Sequence, residues 1–197
     1  MARRRALPWA PRTCAPCWSR VAVSAGRGGG GREEDCVDDV EVLEGVDGDG
    51  AEALCGWVNA RGAAFLEQWA GPALSFPLTR GRVAALEGLH SIRCGGAFVG
   101  VVQWMSTDGG EAHIGRFIID PARTGRGLGR RALEAFLRIV FADERVSTVS
   151  LSVYEDNAGA RALYERMGFR VRGAREGARR ALRMELARGG AEPTLPE

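Results

Sequence analysis

One stretch constrains the fold more than any other: Phe117-Ile118-Ile119-Asp120-Pro121-Ala122-Arg123-Thr124-Gly125-Arg126-Gly127-Leu128-Gly129-Arg130-Arg131-Ala132-Leu133. Its aromatic and β-branched start predicts a buried strand. Asp120-Pro121 closes that strand, because Pro cannot donate to a ladder and turns its predecessor away from helix. Gly125, Gly127 and Gly129 let the backbone turn sharply with its N–H groups pointing outward. The helix that follows brings a positive dipole end to the same place. Arg123, Arg126, Arg130 and Arg131 surround it with fixed charge. Chemically, the stretch is a cradle for a pyrophosphate.

Two familiar phosphate loops do not fit it. A dinucleotide fingerprint needs G-x-G-x-x-G, and counting from Gly125 puts Arg130 at the last position. A Walker loop needs Gly-Lys-Ser/Thr, and the chain contains no lysine.

A length of 197 residues is enough for one ordinary domain with a tail. The formal charge of +2 hides an asymmetry: residues 1–32 carry seven arginines and no acid. The remainder sets twenty arginines against all twenty-five acids, a net of −5. A mildly acidic body argues against a nucleic-acid partner. The five cysteines, Cys14, Cys17, Cys36, Cys55 and Cys94, are odd in number and scattered. They suggest no disulfide framework and fit a reducing, cytoplasmic compartment. No apolar run approaches the ~18 residues that would span a bilayer, so no membrane partner is expected.

Residues 1–35 are rich in Arg, Pro, Gly and Ala and show no sustained period, which predicts a disordered tail. Cys14-Ala15-Pro16-Cys17 has metal-ligand spacing, but zinc needs two further ligands and the histidines, His90 and His113, lie far along the chain. No metal site is expected. The acid-free start imitates an organellar transit peptide; biased composition in an extension without structural role accounts for it better.

The expected folded domain covers 37–187, with a second tail at 188–197. Val40 to Leu43 alternates as a strand. Helical periods run over 47–60, 63–70 and 80–89, the last capped by Thr79. Trp57, Phe65, Trp69 and Phe76 fit either an acceptor pocket or the core, which is the commoner place for such residues. From His90 the period becomes two, giving strands over 91–94, 97–105 and 111–119. Gly95-Gly96 and Asp108-Gly109-Gly110 supply the turns of an antiparallel meander. A helix over 128–141 follows the cradle. In the next strand Val149, Leu151 and Val153 alternate with Thr148, Ser150 and Ser152, one face apolar and one of small hydroxyls. Such a face leaves room for something to lie beside it. Asn157 can cap the next helix and Gly168 can end it. Phe169–Val171 and Leu182–Leu186 read as a closing hairpin.

The order strand-D-P-x-x-x-G-x-G-x-G-helix resembles the acetyl-CoA loop of the GNAT superfamily of N-acetyltransferases. A second block, Leu151 to Phe169, is similar to the other hallmark of that superfamily, strand-x-x-x-N-x-x-A-x-x-L-Y-x-x-x-G-F. Asn157, Ala160, Leu163, Tyr164, Gly168 and Phe169 fall in register with it. The family loop usually reads Gln/Arg-x-x-G-x-G, and its first position falls on Thr124. Gly127 and Gly129 match, while Gly125 and Arg126 fill variable positions. Contacts in such a loop are mainly backbone, so Thr124 is compatible with binding, and Arg123 is the candidate to replace the usual side chain.

The resemblance implies an α/β (α+β) fold with a mixed, mostly antiparallel central sheet and helices on both faces. It implies transfer of an acetyl group from the cosubstrate acetyl-CoA to an amine, on a small molecule or a peptide, with a homodimer allowed. The pyrophosphate would sit on the backbone of Arg123, Thr124, Gly125, Arg126, Gly127, Leu128, Gly129 and Arg130. The pantetheine arm would run beside Phe117, Ile118 and Ile119, between two strands that splay apart. Tyr164 would protonate the departing thiolate, and Asn157 would hold the cofactor arm or the helix start. The structural alternative for Tyr164 is a packed residue at a helix end, and its register favours catalysis. The amine must be neutral to attack. Glu111 and His113, on one side of the strand entering the cradle, are candidate bases; ordinary strand residues fit them equally well. Strict alternation puts Arg116 on the opposite side, where it would stabilise an acidic substrate or a loop. A CoA-binding module without catalysis, on the same fold, is the alternative from another class. An acetyltransferase acting on a protein N-terminus or lysine is the other.

Overall fold

The computed structural model describes residues 40–189. The expected N-terminal tail at 1–35, with Cys14 and Cys17, and all of the C-terminal tail but its first two residues lie outside the described residues. One seven-stranded sheet runs through the described part: β1 (Val40–Glu44), β2 (Leu89–Cys94), β3 (Ala97–Asp108), β4 (Glu111–Ile119), β5 (Thr148–Tyr154), β6 (Arg170–Arg175) and β7 (Ala181–Ala187). Their spatial order is β1-β2-β3-β4-β5-β7-β6. Every neighbouring pair is antiparallel except β4 and β5, which run parallel.

Local chemistry explains the meander. Cys94 faces Ala97 across Gly95-Gly96, and Asp108 faces Glu111 across Gly109-Gly110. All four glycines have positive φ, which the two-residue turns of a right-twisted hairpin demand. A parallel partner cannot be reached by such a turn. The chain therefore crosses over through α4 (Leu128–Ala142) before returning as β5.

Helices cover both faces. On one, α1 (Gly48–Arg61), α2 (Ala63–Ala70) and α3 (Arg80–Ala84) bury Leu54, Val58, Leu66 and Val83 against Val101 and Ile118. On the other, α4 and α5 (Ala158–Arg166) bury Leu133, Phe136 and Tyr164 against Ile114, Val149 and Leu151. Asp47 caps α1 by accepting from the Gly50 N–H at 2.7 Å. Thr79 caps α3 more loosely, at 3.4 Å. The period that predicts a helix to Leu89 overruns it by five residues, since α3 ends at Ala84 and Leu89 already opens β2. The cause is a backbone crossing. The Trp104 N–H donates to the Gly88 carbonyl, and a Cβ on Gly88 would sit 2.1 Å from the Trp104 carbonyl oxygen. Helix cannot continue through that approach. Among the described residues, no helix is long and apolar enough to cross a membrane.

Two irregularities in β4 shape everything built on it. Its register with β3 slips between Val101 and Gln103, opposite Arg116, whose φ is 46°. A non-glycine residue there marks a bulge that re-aims its neighbours. Pairing with β5 also stops early: only Glu111–Ile114 align with Thr148–Leu151. Beyond that point the two strands part.

Two glycine substitutions separate close packing from open helix surface. A Cβ on Gly100 would lie 2.3 Å from the Ile118 carbonyl oxygen, so Gly100→Ala should lose about 1–3 kcal/mol or more by overpacking. Gly56 sits exposed inside α1 with nothing near its Cβ position, so Gly56→Ala should gain about 0.5–1 kcal/mol. Urea unfolding of both variants checks the pair, and equal effects would contradict the packing described.

Candidate active site

Where β4 and β5 part, a cavity of ≈ 1320 Å³ opens. Phe117, Ile118, Ile119, Leu151, Ser152 and Val153 line it from the two diverging strands. Their edge N–H and C=O groups lack a strand partner there. An extended chain laid in the gap could pair with them as a strand would.

The glycine loop closes one end. Thr124, Gly125, Gly127, Gly129 and Arg130 line the cavity. Gly125 and Gly127 have φ of 82° and 75°, and a Cβ on either would meet nothing within 4 Å. That space suits a bulky anion. Gly127 caps α4 without a side-chain hydrogen bond, which leaves first-turn N–H groups of a 15-residue helix free to donate. The other loop residues do less. Thr124 donates its hydroxyl to the Pro121 carbonyl at 3.1 Å. Arg123 is drawn off to Asp120 at 3.5 Å, Arg126 is exposed, and Leu128 is buried in the core. Asn157 lines the cavity and caps α5, accepting from the Ala160 N–H at 3.3 Å with its Oδ1. Its amide donors stay available.

The two base candidates play different parts. Parallel pairing sets His113 opposite Ser150, which is fully buried. Ser150 Oγ lies 2.5 Å from Glu111 Oε1 and 2.8 Å from His113 Nδ1. A carboxylate can only accept, so the single hydroxyl proton goes to Glu111. Ser150 Oγ must then accept from Nδ1–H, and the lone pair of His113 is left on Nε2. Glu111 is further engaged by Arg183 Nη2 at 2.5 and 2.6 Å. The Ser150 hydrogen bond, followed by the Arg183 charge, holds the Glu111 carboxyl below its usual range. Burial, then Arg183, pushes the His113 imidazole down, with Glu111 opposing. At neutral pH His113 is uncharged and lines the cavity with a free acceptor nitrogen; Glu111 lies behind it.

Tyr164 lines the same cavity from α5, its ring edge-on to Phe169 at 5.8 Å. Burial pushes its phenol up to about 12. Among the described residues no hydrogen bond engages the hydroxyl.

The end away from the loop is walled by α2. Phe65 and Trp69 line it, whereas Trp57 stacks on Phe98 at 5.4 Å and Phe76 is exposed. Of the four aromatics, two therefore line the pocket, Trp57 packs, and Phe76 does neither. Arg116 also lines this end. The bulge turns it to the Gln103 side, the side of His113, and not across the strand as alternation predicts. Sequence reasoning missed Ser150 as a bridge and Gln103 as a support. Their partners lie thirty-seven and thirteen residues away, and only the sheet register brings them together.

A family model described as the acetyltransferase (GNAT) family matches residues 57–169. A mycothiol acetyltransferase of Clavibacter michiganensis subsp. michiganensis (strain NCPPB 382) is 36% identical over 104 residues, 53% of this chain and 29% of the relative. A spermine/spermidine N(1)-acetyltransferase of Bacillus subtilis (strain 168) is 34% identical over 64 residues, 32% of this chain and 42% of the relative. The match thus spans less than half the length of these curated relatives. Among solved structures, the RimL ribosomal L7/L12 alpha-N-protein acetyltransferase superposes with a TM-score of 0.62 at 18% identity, over 75% of this chain and 90% of that one. Aminoglycoside acetyltransferase AAC(6')-Ib in complex with coenzyme A gives 0.61 at 23%, over 79% and 99%. At such identities the likeness is one of fold.

The buried relay makes a measurable prediction, because the chain has two histidines. Burial lowers both His90 and His113 from 6.5. The unfolded chain therefore binds protons first as pH falls, so their stabilising contribution is complete above about pH 6.5 and is lost below it. NMR titration should find both resonances shifting below pH 6.5. Glu111→Gln should move His113 lower still, since it removes the one group raising it. A His113 midpoint above 6.5 would contradict the relay.

Proposed function

Because this chain belongs to the GNAT acetyltransferase family, we propose that it transfers an acetyl group from acetyl-CoA to a primary amine. The carrying observation is the strand gap, continuous at one end with the uncapped α4 N-terminus and lined by both His113 and Tyr164. The residues fit the cosubstrate on structural grounds. The loop offers donors and open space for phosphate, and Arg130 adds charge even though it is shared with Glu134 at 2.8 Å. The unpaired edges of β4 and β5 offer backbone partners for an amide-bearing arm. Bound there, acetyl-CoA supplies an activated acyl carbon and a thiolate leaving group.

The chain's own residues supply the proton movements. His113 Nε2 takes a proton from the amine, and the relay through Ser150 to Glu111 keeps the ring in the required tautomer. The nitrogen–carbon bond forms as the carbon–sulfur bond breaks. Tyr164 donates toward the departing sulfur. A phenol near 12 is a weak acid, but the dry surroundings that raise it also raise the proton affinity of a thiolate beside it. Free N–H groups of β4 at the gap are placed to polarise the carbonyl, an oxyanion-hole role. The same reading puts the catalytic unit within 37–187 and the protein in a reducing, cytoplasmic setting, consistent with a thiol and not a disulfide at Cys55.

Thiol release from acetyl-CoA in the presence of amines tests the reaction. CoA binding without release for any amine would favour the non-catalytic module. Tyr164→Phe keeps the ring and should leave acetyl-CoA affinity nearly unchanged, while kcat falls roughly 10²–10⁴-fold. Equal losses of affinity and turnover would indicate packing instead. Gly127→Val should cripple CoA binding, since it strains a positive φ by about 1–2 kcal/mol and fills the open cradle. Thr124→Ala should change CoA affinity little, because its hydroxyl is spent on Pro121. Isothermal titration with CoA compares the two, and matching losses would assign the contact to the side chain.

A further inference from the structure

The cavity as a whole has an unusual charge balance. Among the described residues, Arg61, Arg116, Arg130, Arg166, Arg175 and Arg183 line the cavity and no Asp or Glu does. Four of these have other employment. Arg183 is held by Glu111 and Glu185, Arg130 by Glu134, Arg61 lies over the Phe65 ring, and Arg166 is in the last turn of α5. Arg175 sits on the exposed strand β6. Arg116 differs from them all. It is half-buried, and no carboxylate in the described residues pairs with it. Desolvation is the one influence on its pKa, which it lowers.

The guanidinium is nonetheless held in place. Its Nη1 donates to Gln103 Oε1, and Gln103, itself buried, donates its Nε2 to the Glu87 carbonyl at 2.6 Å. That contact uses one corner of the fork. Nε is buried with no hydrogen-bond partner, so the Nε/Nη2 edge is left unpaired within the protein. This edge has two parallel donors at the spacing of a carboxylate's oxygens. Trp69 Nε1, on the α2 wall of the same cavity, is a second buried donor without a partner. Two buried donors and an uncompensated cation are costly without partners, and each is satisfied by the same kind of ligand.

We propose that Arg116 is a specificity-determining residue that selects an acceptor bearing a carboxylate near its amine, as in an amino acid, over polycationic amines. The inference rests on the acetyltransfer reading above. Arg116 is three residues from His113 along β4, at most about 10 Å of strand. An amine at His113 and a carboxylate at Arg116 thus belong to one small molecule. Polyamines and aminoglycosides would bring further positive charge to a wall that already carries it and that offers no acid.

The test compares each carboxylate-bearing amine with its carboxamide, beside spermidine and an aminoglycoside, by thiol release from acetyl-CoA. The wild type should favour acid over amide roughly 10- to 100-fold in kcat/KM, and both over the polycations. Arg116→Gln should bring the acid/amide ratio close to one by raising KM for the acid, with acetyl-CoA affinity unchanged. Arg116→Lys, which keeps the charge but not the fork, should restore only part of the ratio. Equal use of acid and amide by the wild type, or preference for a polyamine, overturns the inference while leaving acetyl transfer intact. So does a loss in Arg116→Gln that falls on both alike. Should no amine release thiol, the acetyltransfer reading fails by itself. Binding of the acids to the CoA-loaded protein, followed by tryptophan fluorescence, then decides: tighter binding of acid than amide upholds the anion site, and equal binding overturns it.

Discussion

The structure depends on a hydrogen-bond ladder that stops. β4 and β5 share four aligned residue pairs and then separate, although both run on. Strand edges inside a sheet normally find partners, because buried backbone groups left unpaired are costly. Here the bulge at Arg116 bends β4 away, and the 3-10 turn Pro121–Arg123 carries the chain off toward α4. The gap, the cradle at its end and the approach to His113 all follow from that divergence.

The aligned part of the ladder matters as much as the open part. Within four residues it brings Ser150 beneath His113 and beside Glu111, building a polar relay under the imidazole ring. Arg183 arrives on β7 to hold the far end of that relay. A short paired segment therefore sets the protonation state of His113, and in the function proposed above the adjacent unpaired segment would receive the acyl donor. The two functions cannot be moved apart without shifting the register that creates both.

Much of this was legible because it is local. The paired glycines, the Asp120-Pro121 stop, and the apolar alternation of Val149, Leu151 and Val153 each determine their own few residues. The strand Glu111–Ile119 was read to the residue, and α4 to within one. Tyr164 and Asn157 were found through a motif of fixed spacing and both line the cavity. What was not legible depends on distant partners. The overrun of α3 reflects Trp104 crossing Gly88, sixteen residues on. The side on which Arg116 lies is reversed by a bulge, and alternation cannot foresee one extra residue. Ser150 reads as an empty hydroxyl face until parallel pairing sets His113 on it.

The parted strands have one further consequence. An exposed strand edge invites pairing with another protein's strand, the first step toward aggregation, and natural sheets usually shield theirs with charge, brevity or a covering element. The edges of β4 and β5 beyond Ile114 face each other across a narrow trench, with Phe65 and Trp69 on one side and Gly129 and Leu163 on the other. A foreign strand, with side chains above and below its plane, would meet both walls. The trench thus also screens an adhesive surface from the rest of the proteome.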